Sequence, residues 1–92
     1  MRMRNDTRKL ERIIKGFANH RRIQILTLLE KTPELSVEEI SYKLQLGYEN
    51  ASDHIRKLAI AGLLLKRYQG REVRHRLTER GEAALSFCQS LS

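Results

Sequence analysis

The chain has 92 residues, 18 Lys+Arg against 11 Asp+Glu, and a formal charge of +7 at pH 7. That length suits one small domain. The single Cys excludes an intrachain disulfide and a Cys-rich zinc site. The longest apolar run, Leu63-Leu64-Leu65 with residues 59–62 before it, is far short of the ~20 residues that span a bilayer. Met1-Arg2-Met3-Arg4 lacks the apolar core of a secretory signal. The expectation is a soluble cytoplasmic protein, with no membrane partner, whose basic balance favours an anionic ligand, nucleic acid first.

Charge is unevenly placed. Residues 27–55 set Glu30, Glu34, Glu38, Glu39, Glu49 and Asp53 against only Lys31 and Lys43, while the segments on either side are strongly basic. Residues 1–5 read as a flexible basic arm. Leu10, Ile13, Ile14 and Phe17 fall at i, i+3, i+4, i+7, which predicts a first helix over 6–18 capped by Asp6 or Thr7. Asn19 offers the next N-cap. A second helix to about Lys31 is apolar on most sides (Ile23, Ile25, Leu26, Leu28, Leu29) and so belongs at the centre. Thr32-Pro33 ends it.

Ser36-Val37-Glu38-Glu39 has the spacing of a capping box. It opens a third helix with Val37, Ile40 and Leu44 inward. Gln45-Leu46-Gly47 reads as a tight turn. A fourth helix follows from about Tyr48 to Ala61, with Ala51, Ile55 and Leu58 inward and Gly62 just past its end. The period then changes to two. Residues 63–68 and 72–77 read as strands around the turn Gln69-Gly70-Arg71, with Val73, His75 and Leu77 alternating with Glu72, Arg74 and Arg76. On that alternation His75 is a half-buried packing residue. Thr78 caps a last helix over 79–91, whose stripe is Ala84, Phe87, Cys88 and Leu91.

The order is mainly helical with one small hairpin, α-α-α-turn-α-β-β-α. Residues 36–61 form a candidate helix-turn-helix, and residues 63–77 a basic hairpin that can lie along a phosphate backbone as a wing. The outer face of the fourth helix supplies candidate base contacts: Tyr48, Glu49, Asn50, Ser52, Asp53 and Arg56. Asn50 can pair bidentately with adenine and Arg56 with guanine, and a carboxylate can accept from cytosine N4. Candidate phosphate contacts are Arg21 and Arg22 before the core of the second helix, Lys57, and Lys66, Arg67, Arg71, Arg74 and Arg76 on the hairpin. Glu49 and Asp53 place negative charge where a duplex would lie. That acidity supports an alternative, a winged-helix module for protein or RNA. No Gly-rich phosphate loop, zinc-protease motif or Cys/His dyad signature supports an enzyme.

The chain resembles winged helix-turn-helix repressors of the ArsR type. The matching stretches are Phe17-Ala18-Asn19-His20-Arg21-Arg22-Ile23-Gln24-Ile25-Leu26, Glu34-Leu35-Ser36-Val37-Glu38-Glu39-Ile40, Leu44-Gln45-Leu46-Gly47, Ala51-Ser52-Asp53-His54-Ile55-Arg56-Lys57-Leu58, Ala61-Gly62-Leu63-Leu64 and the wing Gly70-Arg71-Glu72-Val73. The closing segment Arg76-Leu77-Thr78-Glu79-Arg80-Gly81 is also similar to MarR-type winged helices. The resemblance implies a sequence-specific, double-stranded DNA-binding homodimer, with interface residues on the terminal helices. The stripes Leu10, Ile13, Ile14, Phe17 and Ala84, Phe87, Cys88, Leu91 fit that role, with Cys88 as a small apolar residue. Metal-sensing members of the family carry a Cys where this chain has Ser36, so no metal or other cofactor is expected, and His20, His54, His75 and Cys88 are not spaced to replace that site. Nothing in the sequence identifies an effector.

Overall fold

The computed structural model describes residues 3–92, with side chains from Asp6 onward. In chain order the elements are α1 (Met3–Phe17), α2 (His20–Lys31), α3 (Val37–Leu44), α4 (Tyr48–Ile60), β1 (Leu64–Gln69), β2 (Glu72–Leu77) and α5 (Glu79–Ser90). This is the winged helix-turn-helix order expected from the spacing. α1 begins at Met3, ahead of the cap expected at Asp6 or Thr7. The basic arm expected over residues 1–5 lies outside the residues whose side chains are described. Among the described residues, no helix is long and apolar enough to cross a membrane.

Local chemistry sets the element ends. The Asn19 side chain accepts from the backbone N–H groups of Arg21 at 2.9 Å and Arg22 at 3.2 Å, which starts α2. The Thr78 hydroxyl accepts from the Gly81 N–H at 3.0 Å and donates to the Gly62 carbonyl at 2.6 Å. It therefore caps α5 and ties it to the end of α4. α2 is the axis of the core: Ile25, Leu26 and Leu29 are buried, and the helix touches each of the other four and β2. Ile40, Ile55, Leu58, Leu63 and Leu85 close around it.

Two close approaches need glycine. A Cβ at Gly81 would sit 2.1 Å from the Leu63 carbonyl oxygen, so the first turn of α5 lies directly on the backbone leaving α4. A Cβ at Gly16 would be 2.6 Å from the Cβ of Ala61, so α1 meets the end of α4 with only the Ala61 methyl group between them.

The strands pair antiparallel from Leu64↔Leu77 to Gln69↔Glu72. β1 is exposed beyond Leu64, and the hairpin projects from the domain. A further connection was not legible in the sequence. The Glu34 N–H donates to the His75 carbonyl at 2.9 Å and the His75 N–H to the Leu35 carbonyl at 3.0 Å, so the segment before α3 bridges to β2. His75 is 0% exposed, not half-buried as the alternation suggested, since β2 packs against α2 and α5 and is bridged by Leu35. Its Nδ1–H donates to the Leu35 carbonyl at 2.8 Å, and Nε2 has no partner. Burial holds its pKa below the usual histidine range, and the ring is neutral.

Candidate nucleic-acid interface

The helix-turn-helix is assembled from short-range bonds. Ser36 accepts from the Glu39 N–H at 3.1 Å while Glu39 accepts from the Ser36 N–H at 2.9 Å, the reciprocal box that starts α3. That bond, ahead of nearby arginine charge, holds the Glu39 carboxyl below its usual pKa. Gln45 ends α3 in the left-handed region at φ 55°. Arg21 donates to the Leu44 carbonyl at 3.4 Å and to Gln24 at 3.1 Å, placing its charge at the C-terminus of α3, where the helix dipole favours it.

α4 buries Ala51, Ile55 and Leu58 and turns its other side outward. Tyr48, Glu49, Asn50 and Arg56 are exposed, and Ser52 and Asp53 are half-exposed. These six candidates share one accessible helix side, in keeping with the spacing. The acidity of that side is partly neutralised within the helix. Asp53 pairs with Arg56 at 2.5 Å and Lys57 at 3.2 Å. Lys57 first, then Arg56, holds its carboxyl below the usual aspartate range. Glu49 makes no ion pair among the described residues.

The hairpin cations fall into two groups. Glu34 receives two bonds from Arg67, at 2.9 and 2.6 Å, and faces the Arg76 Nε at 3.5 Å. The Arg67 bond keeps Glu34 ionised below its usual range and raises the pKa of Arg67 in turn. Arg74 pairs with Glu39 at 3.2 Å and with Glu72, and donates to the Glu34 carbonyl at 3.1 Å. Lys66 and Arg71 make no ion pair among the described residues and stand exposed. Sequence reasoning did not anticipate Glu34 and Glu39 as partners of the hairpin, since they lie 33 and 35 positions from the arginines they meet. Tyr42 and Tyr68 also stand exposed, and no periodic pattern in the sequence marks them.

Tyr48, the start of α3 and the hairpin tip from Arg71 to Arg74 line one open cleft of about 430 Å³. The start of α4 and the tip of the hairpin thus face the same space. Arg22, by contrast, points inward. Its Nε donates to His54 Nδ1 at 3.1 Å and its Nη1 to the Gly16 carbonyl at 3.2 Å, so it joins α1, α2 and α4. Burial, then the Arg22 charge, lowers the His54 pKa and keeps Nδ1 free to accept.

The terminal-helix candidates also divide. Phe17 and Ala84 are buried within the protomer, and Ile13 and Cys88 pack partly against its core. Leu10 at 47%, Ile14 at 46%, Phe87 at 53% and Leu91 at 70% exposure leave an outward apolar face on α1 and α5. Ser36 is engaged as a helix cap, and His54 and His75 each commit Nδ1 to a protein bond. No group of three or more His, Cys, Asp or Glu among the described residues could hold a metal ion.

A helix-turn-helix with an outward second helix and a basic hairpin beside it defines a winged-helix DNA-binding protein. The profile of the bacterial regulatory proteins of the arsR family matches residues 19–66, from the cap of α2 into β1. The chain belongs to that family. Among solved structures it is 32% identical to reduced HlyU from Vibrio cholerae, covering 97% of this chain and 94% of that one with a TM-score of 0.83. It is 28% identical to the homodimeric winged helix-turn-helix DNA-binding domain of Mb0332 from Mycobacterium bovis, a possible ArsR-family transcriptional regulator, covering 98% and 83% with a TM-score of 0.86. A MarR family transcription regulator shares the fold at 24% identity and a TM-score of 0.76, with 96% of this chain and 61% of that one covered. No curated protein sequence matches the chain.

Proposed function

We propose that the chain is a dimeric, sequence-specific regulator of transcription, a repressor that acts in the cytoplasm by occupying double-stranded DNA. It works as a binding protein and not as an enzyme, and without the thiolate metal site of its metal-sensing relatives. The observation that carries this reading is the shared cleft: Tyr48 at the start of α4 and Arg71 at the hairpin tip line the same opening. A groove seated against α4 would meet Asn50 and Arg56 as readers of bases, with Tyr48, Glu49, Ser52 and Asp53 around them. Lys66 and Arg71 are the cations readiest to meet phosphates, because no carboxylate competes for them. Arg67, Arg74 and Arg76 must exchange a carboxylate for a phosphate. Lys57 shares Asp53 in the same way, Arg21 sits at the edge of α3, and Arg22 serves chiefly to hold α4 in place.

The outward face of Leu10, Ile14, Phe87 and Leu91 supports pairing of two copies through α1 and α5, with Phe17, Ile13, Ala84 and Cys88 as its backing. A two-fold pair would set its α4 helices roughly one DNA turn, about 34 Å, apart. The test is selection of bound sequences from random duplexes, followed by binding over a salt series. The expected result is a two-fold-symmetric site and an affinity that falls steeply as salt rises. A flat salt response with no enriched sequence refutes the reading and favours a module for protein or RNA.

A further inference from the structure

A second cleft, of about 420 Å³, lies on the other side of α4, between it, α1 and the start of α5. Its volume falls in the range of small-molecule sites. Ile13, Ile60 and Ala61 give it an apolar floor. Ile60 is 74% exposed, the kind of solvent-facing isoleucine that a bound apolar body would cover. Its rim is cationic, and among the described residues no Asp or Glu lines it. Lys9 and Arg12 make no ion pair there. Arg80 spends one bond, at 3.0 Å, on the Ala61 carbonyl and keeps the rest of its guanidinium available.

We propose that this cleft binds a small amphipathic carboxylate, its apolar body on Ile13, Ile60 and Ala61 and its charge among Lys9, Arg12 and Arg80. The chemistry follows from the lining. An apolar floor alone would suit any hydrophobe, and a cationic rim alone any anion, while the two together select a molecule with both. A guanidinium matches a carboxylate by paired N–H donors.

Two walls connect the cleft to the nucleic-acid side. Lys57 lines it and also pairs with Asp53, which holds Arg56. Arg22 lines it and also holds His54. A bound carboxylate competes with Asp53 for Lys57 and cancels positive charge beside α4, so it weakens duplex binding. That consequence rests on the function proposed above, whereas occupancy of the cleft does not.

The probe is 8-anilinonaphthalene-1-sulfonate, an aromatic anion that fluoresces in apolar sites. It is displaced in turn by decanoate and by decyltrimethylammonium, which has a similar tail and the opposite charge. The expected result is saturable dye binding to the folded protein, displaced by decanoate and not by the cation. Ile60→Asp and Arg12→Glu, both at surface positions, should each weaken it about tenfold or more. Dye binding that is absent, unmoved by both substitutions, or equally displaced by the cation overturns the site. Dye binding lost as the protein is concentrated into dimers also overturns it, because a second copy then covers the cleft. Decanoate should lower duplex affinity about fivefold or more, and an unchanged affinity overturns the regulatory half. Failure to bind any duplex refutes the preceding function and leaves the dye result standing.

Discussion

Replacing Glu34 by Gln tests how the hairpin cations are held in reserve. The Glu34 carboxylate receives two bonds from Arg67 and faces Arg76 at 3.5 Å, so one negative charge is shared between two guanidinium groups. Glutamine keeps the shape and one acceptor oxygen but removes that charge. One more cation then becomes available to a phosphate, and each neutralised phosphate steepens the dependence of log affinity on log salt by about 0.9. Over a fourfold change in salt, such as 50 to 200 mM, the substituted protein gains about 3.5-fold more affinity at the dilute end than the parent does. The backbone bridge from Glu34 and Leu35 to His75 is unaffected, so the hairpin stays in place. The assay is fluorescence anisotropy with a random duplex at several salt concentrations. A slope equal to the parent's, or uniformly weaker binding, refutes the idea that Glu34 competes with phosphate for these arginines.

Gly81→Ala forces a Cβ against the Leu63 carbonyl and should cost about 2–3 kcal/mol; chemical denaturation giving a change below about 0.5 kcal/mol contradicts the close approach. His75→Phe should flatten the stability profile on mild acidification. The folded-state pKa of His75 lies below the usual 6.5, so its contribution is complete above that value and declines as pH falls below it, by up to about 1.4 kcal/mol per pH unit. Glu34, Glu39 and Asp53, whose pKa values are also depressed, lose their contributions only at lower pH, below 4.5 for the glutamates and 3.8 for the aspartate. Parallel profiles for the parent and His75→Phe between neutrality and those windows rule out the neutral buried ring. Asn50→Ala should relax the preference at particular base positions by about 1–3 kcal/mol, read from a selection profile, and an unaltered profile removes Asn50 from the reading face. Phe87→Asp, at an exposed position, should leave a folded protein that sediments as a monomer; an unchanged dimer places the interface elsewhere.

What was legible in the sequence was what neighbouring residues decide. Asn19, Ser36 and Thr78 cap their helices as their spacing indicates, because each cap joins residues two or three positions apart. The two-residue period of 72–77 shows which side of the hairpin meets the core. The pairing of Asp53 with Arg56 and Lys57 is equally local. It follows from i, i+3 and i, i+4 spacing, which brings both cations to one carboxylate. The bridge between Leu35 and His75, and the pairing of Glu34 and Glu39 with the hairpin, span more than thirty positions and depend on how the chain closes. An apolar stripe cannot say which side of a terminal helix is already covered. Phe17 and Leu10 lie on one stripe, but α2 and the rest of the core bury the first and leave the second open. Arg22 shows the same limit, since its basic character suggested a phosphate while its neighbours are His54 and Gly16.

The close meeting of Gly16 with Ala61 has a mechanical consequence. Where two helices touch with a single methyl group as the cushion, tilting one carries the other with it, and Arg22 pins the junction from a third direction. In a paired assembly the seam between copies and the reading heads would turn as a single rigid lever. Such a ruler measures fixed lengths, so inserting one base pair between the halves of its target should be tolerated far less well than changing the letters there.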